Sequence, residues 1–182
     1  MRKLSENSEL VYLQSLGMVL NSLGNLQMNK KDYNKAKLCY KETLEIRREL
    51  VKINSEIYLP DLGMILSNFA NLQVQMGEYE EAIVNYNGAL SIYRKLVETN
   101  PQIYLQSLGM TQINISIFYQ KTKVNREMSM EFIEEAIISL LPYKNVLHMQ
   151  NYLKGALKVL KDWEVNVESY LKEKGIMLDF KY

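Results

Sequence analysis

Gly17, Gly63 and Gly109 stand 46 residues apart, each inside a closely similar string. The strings read Tyr12-Leu13-Gln14-Ser15-Leu16-Gly17-Met18, Tyr58-Leu59-Pro60-Asp61-Leu62-Gly63-Met64 and Tyr104-Leu105-Gln106-Ser107-Leu108-Gly109-Met110. Self-similarity at a fixed period of this size means one supersecondary unit stacked on copies of itself, and it constrains the fold more than any local signal. Within the first copy, Leu13, Leu16, Leu20, Leu23 and Leu26 recur at steps of three and four, the amphipathic helical period.

Each copy therefore reads as a helical hairpin. In the first, a helix over 10–29 is followed by a polar break, Asn29-Lys30-Lys31-Asp32, with Asp32 placed to cap a second helix running to about Lys52. That second helix turns Tyr33, Ala36, Tyr40, Leu44 and Leu50 inward. The second copy places helices at roughly 59–76 and 79–99, separated by Gly77 and ended by Asn100-Pro101. The third copy is degenerate. After a one-residue insertion, Ser129, Ile133 and Ala136 take the places of Ala82, Tyr86 and Ala89, and Pro142 closes its second helix early. Residues 144–174 then form one long helix, or two broken near Asp162 to Asn166, before Gly175. This reads as a terminal cap, since the end unit of a stack must show one face to water.

The same register reaches back to the start. Arg2, Arg48 and Arg94 fall one period apart, so residues 2–9 read as the last turn of a helix whose body is absent. The chain is then a piece of a longer array or one trimmed from it, and its first repeat should present an unpartnered face. The expected organisation is a single domain over 1–182, with repeats at 10–55, 56–101 and 102–141 and a cap over 142–182. The expected fold class is all-α: three helical hairpins plus a C-terminal capping helix.

Composition narrows the function. Lys plus Arg at 22 against Asp plus Glu at 21 leaves a net charge of +1, with no whole-chain basis for binding nucleic acid or a membrane surface. A single cysteine, Cys39, excludes an intramolecular disulfide and a cysteine-rich metal site. There is no apolar run of membrane-spanning length and no signal peptide at the N-terminus, so the expected location is cytoplasmic.

Leu66, Phe69, Ala70, Gly77, Tyr79, Ala82, Tyr86 and Ala89 alternate large and small residues as the tetratricopeptide repeat does, and Leu20, Leu23, Gly24, Tyr33, Ala36, Tyr40 and Thr43 repeat the pattern. The chain resembles a tetratricopeptide repeat protein over about residues 10–140. Its period exceeds the usual 34 residues, which makes it most similar to the long-repeat branch typified by kinesin light chain. The resemblance implies a right-handed α-α superhelix (a tetratricopeptide-like solenoid) whose groove is lined by the first helix of each copy. Its positions here are Met18, Asn21, Asn25 and Met28, then Met64, Ser67, Asn68 and Asn71, then Met110, Ile113 and Asn114. Asparagine offers both a donor and an acceptor to the backbone of an extended peptide, and methionine an adaptable apolar surface. The same asparagines could instead bond between neighbouring helices, and the two roles are compatible. The clamp by which some members hold acidic chaperone tails needs cations at positions occupied here by Asn21, Met110 and Asn114, so that function is not expected.

No catalytic pattern is visible: no phosphate loop, no dinucleotide fingerprint and no paired-histidine metal motif. His148 is the only histidine and reads as structural, as does Cys39. Glu80-Glu81 and Glu134-Glu135 read as acids at helix starts, where the dipole favours them. Lys121, Lys123 and Arg126 read as a solvated loop cluster, and Trp163 as an anchor for the cap. The leading expectation is a non-catalytic scaffold, with no cofactor and no metal, that holds a protein or peptide in its groove. Asn71→Ala is expected to weaken binding without lowering the melting temperature. The alternatives are a sensor or regulatory fragment of a larger signalling protein, and a homo-oligomer formed through the exposed N-terminal repeat face.

Overall fold

A computed structural model describes residues 2–122 and 124–178. Lys123 lies outside the described residues, and of residues 2–7 and His148 only the backbone is described. The elements are α1 (Arg2–Asn29), α2 (Tyr33–Ile53), α3 (Ser55–Met76), α4 (Tyr79–Thr99), α5 (Pro101–Thr122), α6 (Arg126–Leu140), a 3₁₀ turn (Leu141–Tyr143), α7 (Leu147–Asp162) and α8 (Val167–Glu173). The chain divides into two compact units, Met1–Ile92 and Tyr93–Tyr182.

Most helix ends follow the local chemistry. Asp32 accepts from the Lys35 amide, Asn54 from Ile57, Asn125 from Met128 and Asn166 from Ser169, so each of these helices starts on an acceptor for its free N–H groups. Gly77 ends α3 in the left-handed region, at φ 78°. One period earlier the same turn is made by Lys31 at φ 62°, where a side chain resists the conformation that glycine adopts freely. Pro101 begins α5, a position where its missing N–H has no partner to lose.

Two expectations change. The N-terminal segment is no detached helix end: α1 runs unbroken from Arg2 to Asn29. Ser8 stands where Asn54 and Asn100 interrupt the later copies, and residues 2–12 contain no glycine or proline to stop a helix. Glu134 and Glu135 do not start a helix either, since α6 begins at Arg126. They are held by ion pairs instead, Glu134 to Lys174 at 3.2 Å and Glu135 to Arg94 at 2.9 Å.

In the first unit, the core joins Ala36, Tyr40 and Leu44 of α2 to Ile65, Phe69 and Leu72 of α3 and Ala89 of α4. A second cluster sets Ile46 and Leu50 of α2 and Tyr58 of α3 against Leu13, Leu16 and Leu20 of α1. Close approach of α1 and α2 depends on small residues. A Cβ on Gly24 would stand 2.7 Å from the Tyr40 ring, and one on Gly17 would stand 3.3 Å from the Arg47 guanidinium carbon.

In the second unit, α5, α6 and α7 bury Ile113, Ile133, Ile137, Leu153 and Leu157 in one cluster, with α8 adding Val167, Tyr170 and Leu171. The break between α7 and α8 comes at Trp163-Glu164, and Glu164 takes φ 60°. Trp163 ties this region back to α6: its indole N–H donates to Ser129 Oγ at 2.8 Å. Arg126 is no free loop cation, because its guanidinium donates to the Trp163 carbonyl at 3.0 Å.

Two substitutions test this account of α1 and α2. Gly24→Ala should destabilise the chain by about 1–3 kcal/mol, since neither the helix nor the packed ring can yield freely. Lys31→Gly should stabilise it by about 1 kcal/mol by relieving the positive φ. Urea unfolding followed by circular dichroism measures both.

Candidate functional site

Asn25 and Asn71 owe their positions to the tyrosines beneath them. The Tyr40 hydroxyl donates to Asn25 Oδ1 at 2.6 Å, and the Tyr86 hydroxyl to Asn71 Oδ1 at 2.5 Å. Each tyrosine sits on the second helix of its hairpin, with its ring buried and its polar end at the first helix. A phenol that loses water on folding keeps a hydrogen bond by reaching an amide at the edge of the core. Met28 adds its sulfur 3.8 Å from the Tyr40 hydroxyl. Asn68 completes the set by donating to Asn21 Oδ1 at 3.5 Å, a link between α3 and α1.

The asparagines thus bond within the fold, and an amide has capacity beyond that. Asn25 is exposed and uses only its oxygen in the tie to Tyr40, which leaves its two amide hydrogens for another acceptor. Asn21, Asn68 and Asn71 are half-buried, while Met18 and Met64 are exposed beside them. Ser67 is a correction. It is buried and offers no surface, because α3 is flanked by α1, α2 and α4 where α1 has fewer neighbours. The amide has moved one residue along, from Asn21 in the first copy to Asn68 in the second.

In the second unit, Met110 and Asn114 are half-buried on α5. Ile113 is a core residue, packed with Ile133 and Leu157 rather than open to a ligand.

Charge is sorted by helix. From Leu10 to Asn29, α1 contains no charged residue, whereas α2 alternates Lys, Glu and Arg along its length. Asp61 on α3 is bound to the buried Arg47 at 3.4 Å. The α1–α3 surface is therefore a neutral face of amides and methionines.

A second feature of this unit lies away from the positions expected from the repeat pattern. A cleft of about 580 Å³ opens between α2 and α4, with Phe69 and Gln73 of α3 in its lining. Lys41 and Arg48 line it from α2, Glu80 and Glu81 from α4. Gln73 is buried and accepts from Asn85 at 2.7 Å. The seven-residue step between Lys41 and Arg48 puts both on one helix face, a signal that was available in the sequence. Nearby, Cys39 is buried, and desolvation followed by the charge of Glu42 pushes its thiol above the usual range, which disfavours the nucleophilic thiolate.

Burial also raises the tyrosines. Tyr40 is pushed up to about 12, and Tyr86 is raised further in the same direction. An unfolded tyrosine ionises near pH 10, roughly. Between that pH and the folded value the unfolded chain has released a proton that the folded chain retains, so raising the pH favours unfolding. Stability should be full below about pH 10 and be lost as pH climbs through about 12. Tyr40→Phe should flatten that loss, as read from melting temperature against pH.

The pairing also sets what Asn71→Ala does. It removes the acceptor that holds the Tyr86 hydroxyl, so a loss of about 0.5–1.5 kcal/mol is expected instead of an unchanged melting temperature. Thermal unfolding of the variant beside Tyr86→Phe measures it.

Among the described residues, no helix is long and apolar enough to cross a membrane. The tetratricopeptide repeat family model matches residues 19–50 and 65–102. The first segment runs from the middle of α1 to the end of α2, and the second from α3 through α4. No curated protein matches the chain. The family match covers the two hairpins that carry the buried tyrosines and their small-residue partners, and on that evidence these two hairpins of an all-α chain are tetratricopeptide repeats.

Proposed function

We propose that this protein is a non-catalytic interaction module that binds an uncharged, extended segment of a partner protein across the α1–α3 face of its first unit. Tetratricopeptide repeats generally mediate protein–protein contacts and serve as scaffolds without catalysis. The observation that carries the finer reading is the neutrality of this face. Asn25 has amide hydrogens to spare, and Met18 and Met64 are exposed beside it, with no lysine or arginine between Leu10 and Asn29. Such a surface would recognise a peptide backbone by amide bonds and its side chains by soft apolar contact. Each amide bond contributes only about 0.5–1.5 kcal/mol net, so several must act together.

The test is a peptide-display selection on the folded chain, with the affinity of selected peptides followed by fluorescence anisotropy. Met18→Glu and Met64→Glu, both exposed positions, should each weaken binding by about tenfold, equivalent to about 1.4 kcal/mol. Affinity should change little with salt. Lys41→Ala in the charged cleft should leave it unaltered. Selected peptides that are highly charged, salt-sensitive and displaced by Lys41→Ala but not by Met64→Glu would move the site to the cleft and refute the proposal.

A further inference from the structure

The repeat allows each face of α1 to be compared with the same face of α3, one period later. Tyr12 is 63% exposed where Tyr58 is 5%, Val19 is 64% where Ile65 is 0%, and Leu26 is 48% where Leu72 is 0%. Leu23 is likewise exposed where Phe69 is buried. On α3 this face lies under α2: Leu44 and Tyr40 pack with Ile65, Phe69 and Leu72, and Leu50 packs with Tyr58. The bare face of α1 is therefore built to the pattern that takes a packed helix, and none of the described helices covers it.

Its spacing fits that occupant. The exposed Tyr12, Val19, Leu23 and Leu26, with Leu16 half-buried at the edge of the face against α2, follow steps of four, three, four and three, the seam of a two-helix coiled coil. The seam runs about 21 Å along the helix at 1.5 Å per residue. Ser15 and Ser22 flank it, and their hydroxyls are already spent on their own helix, donating to the Val11 and Met18 carbonyls at 2.8 and 2.9 Å. Short, internally satisfied side chains let a second helix approach without stranding a polar group.

We infer that this face is a self-association surface, on which α1 of one copy pairs with α1 of a second across a two-fold axis. Two-fold pairing sets a surface against itself, so a charged residue near the axis would meet its own kind. The twenty residues from Leu10 to Asn29 contain no charge, a condition that a self-pairing helix needs and that α2, with its many lysines and glutamates, does not meet. The surface is separate from the amide and methionine face proposed for peptide binding, so the two readings stand or fall independently.

Sedimentation equilibrium on the full chain tests it. The wild type should be a dimer. Val19→Glu and Leu26→Glu, both at exposed positions, should be monomers with unchanged far-ultraviolet circular dichroism at concentrations where the wild type is fully paired. A Val19→Cys variant should cross-link to its own copy under mild oxidation, since Val19 lies at the centre of the seam and Cys39 is buried. A wild type that stays monomeric, or a dimer that survives both glutamates, overturns the inference. So does a wild-type monomer that binds a helical peptide carrying the α2 stripe, because the face would then have another occupant.

Discussion

The first unit depends on a buried tyrosine in each hairpin, held at both ends. The ring of Tyr40 lies against Gly24, where a Cβ would come to 2.7 Å, and its hydroxyl is bonded to Asn25. Tyr86 repeats the arrangement from α4 with Asn71, beside Ala70 in the position of Gly24. A large side chain on one helix and a small one on the other brings the two axes close. The amide at the core's edge then lets the phenol be buried without losing its hydrogen bond. Orientation, depth and spacing of the hairpin follow from that one pair.

The third copy shows that the pair is a unit. Where the tyrosine becomes Ile133, the asparagine becomes Ile117, so donor and acceptor disappear together. Exchanging both partners for apolar groups of similar size is nearly neutral, whereas losing one strands the other. The small contact survives in altered form. Ser116 and Ser129 replace two alanines, and each hydroxyl reaches the other's backbone carbonyl, at 2.7 and 2.9 Å. Ser129 then supplies the acceptor for Trp163, so degeneration of the repeat gives the C-terminal helices an attachment point.

Much of the architecture could be read from the residues in order. The period of 46 placed the hairpins, Asp32 and Gly77 marked ends that the backbone keeps, and Ala36, Tyr40, Ala82 and Tyr86 are all buried as their spacing implied. The candidate surface was less legible. Asn25, Asn68, Met18 and Met64 reach solvent at least in part, but Ser67 and Ile113 do not, though all lie on one helical face by count. Periodicity gives the angle of a side chain about its own axis. It does not say how many neighbouring helices close over that angle, and this number differs between α1, α3 and α5.

The sequence by itself therefore determined the helices, their pairing into hairpins and the large-small contacts between them. These depend on spacing along the chain and on side-chain size, which are both written there. Only the tertiary structure decided that α1 continues unbroken through residues 2–12, that Glu134 and Glu135 serve ion pairs, and that Asn25 and Asn71 are anchored to tyrosines before they can meet a ligand. It also separated Val19 from Ile65, equivalent by register yet bare in one helix and enclosed in the other. Burial depends on which helices lie alongside, a relation between distant segments that a local pattern does not encode.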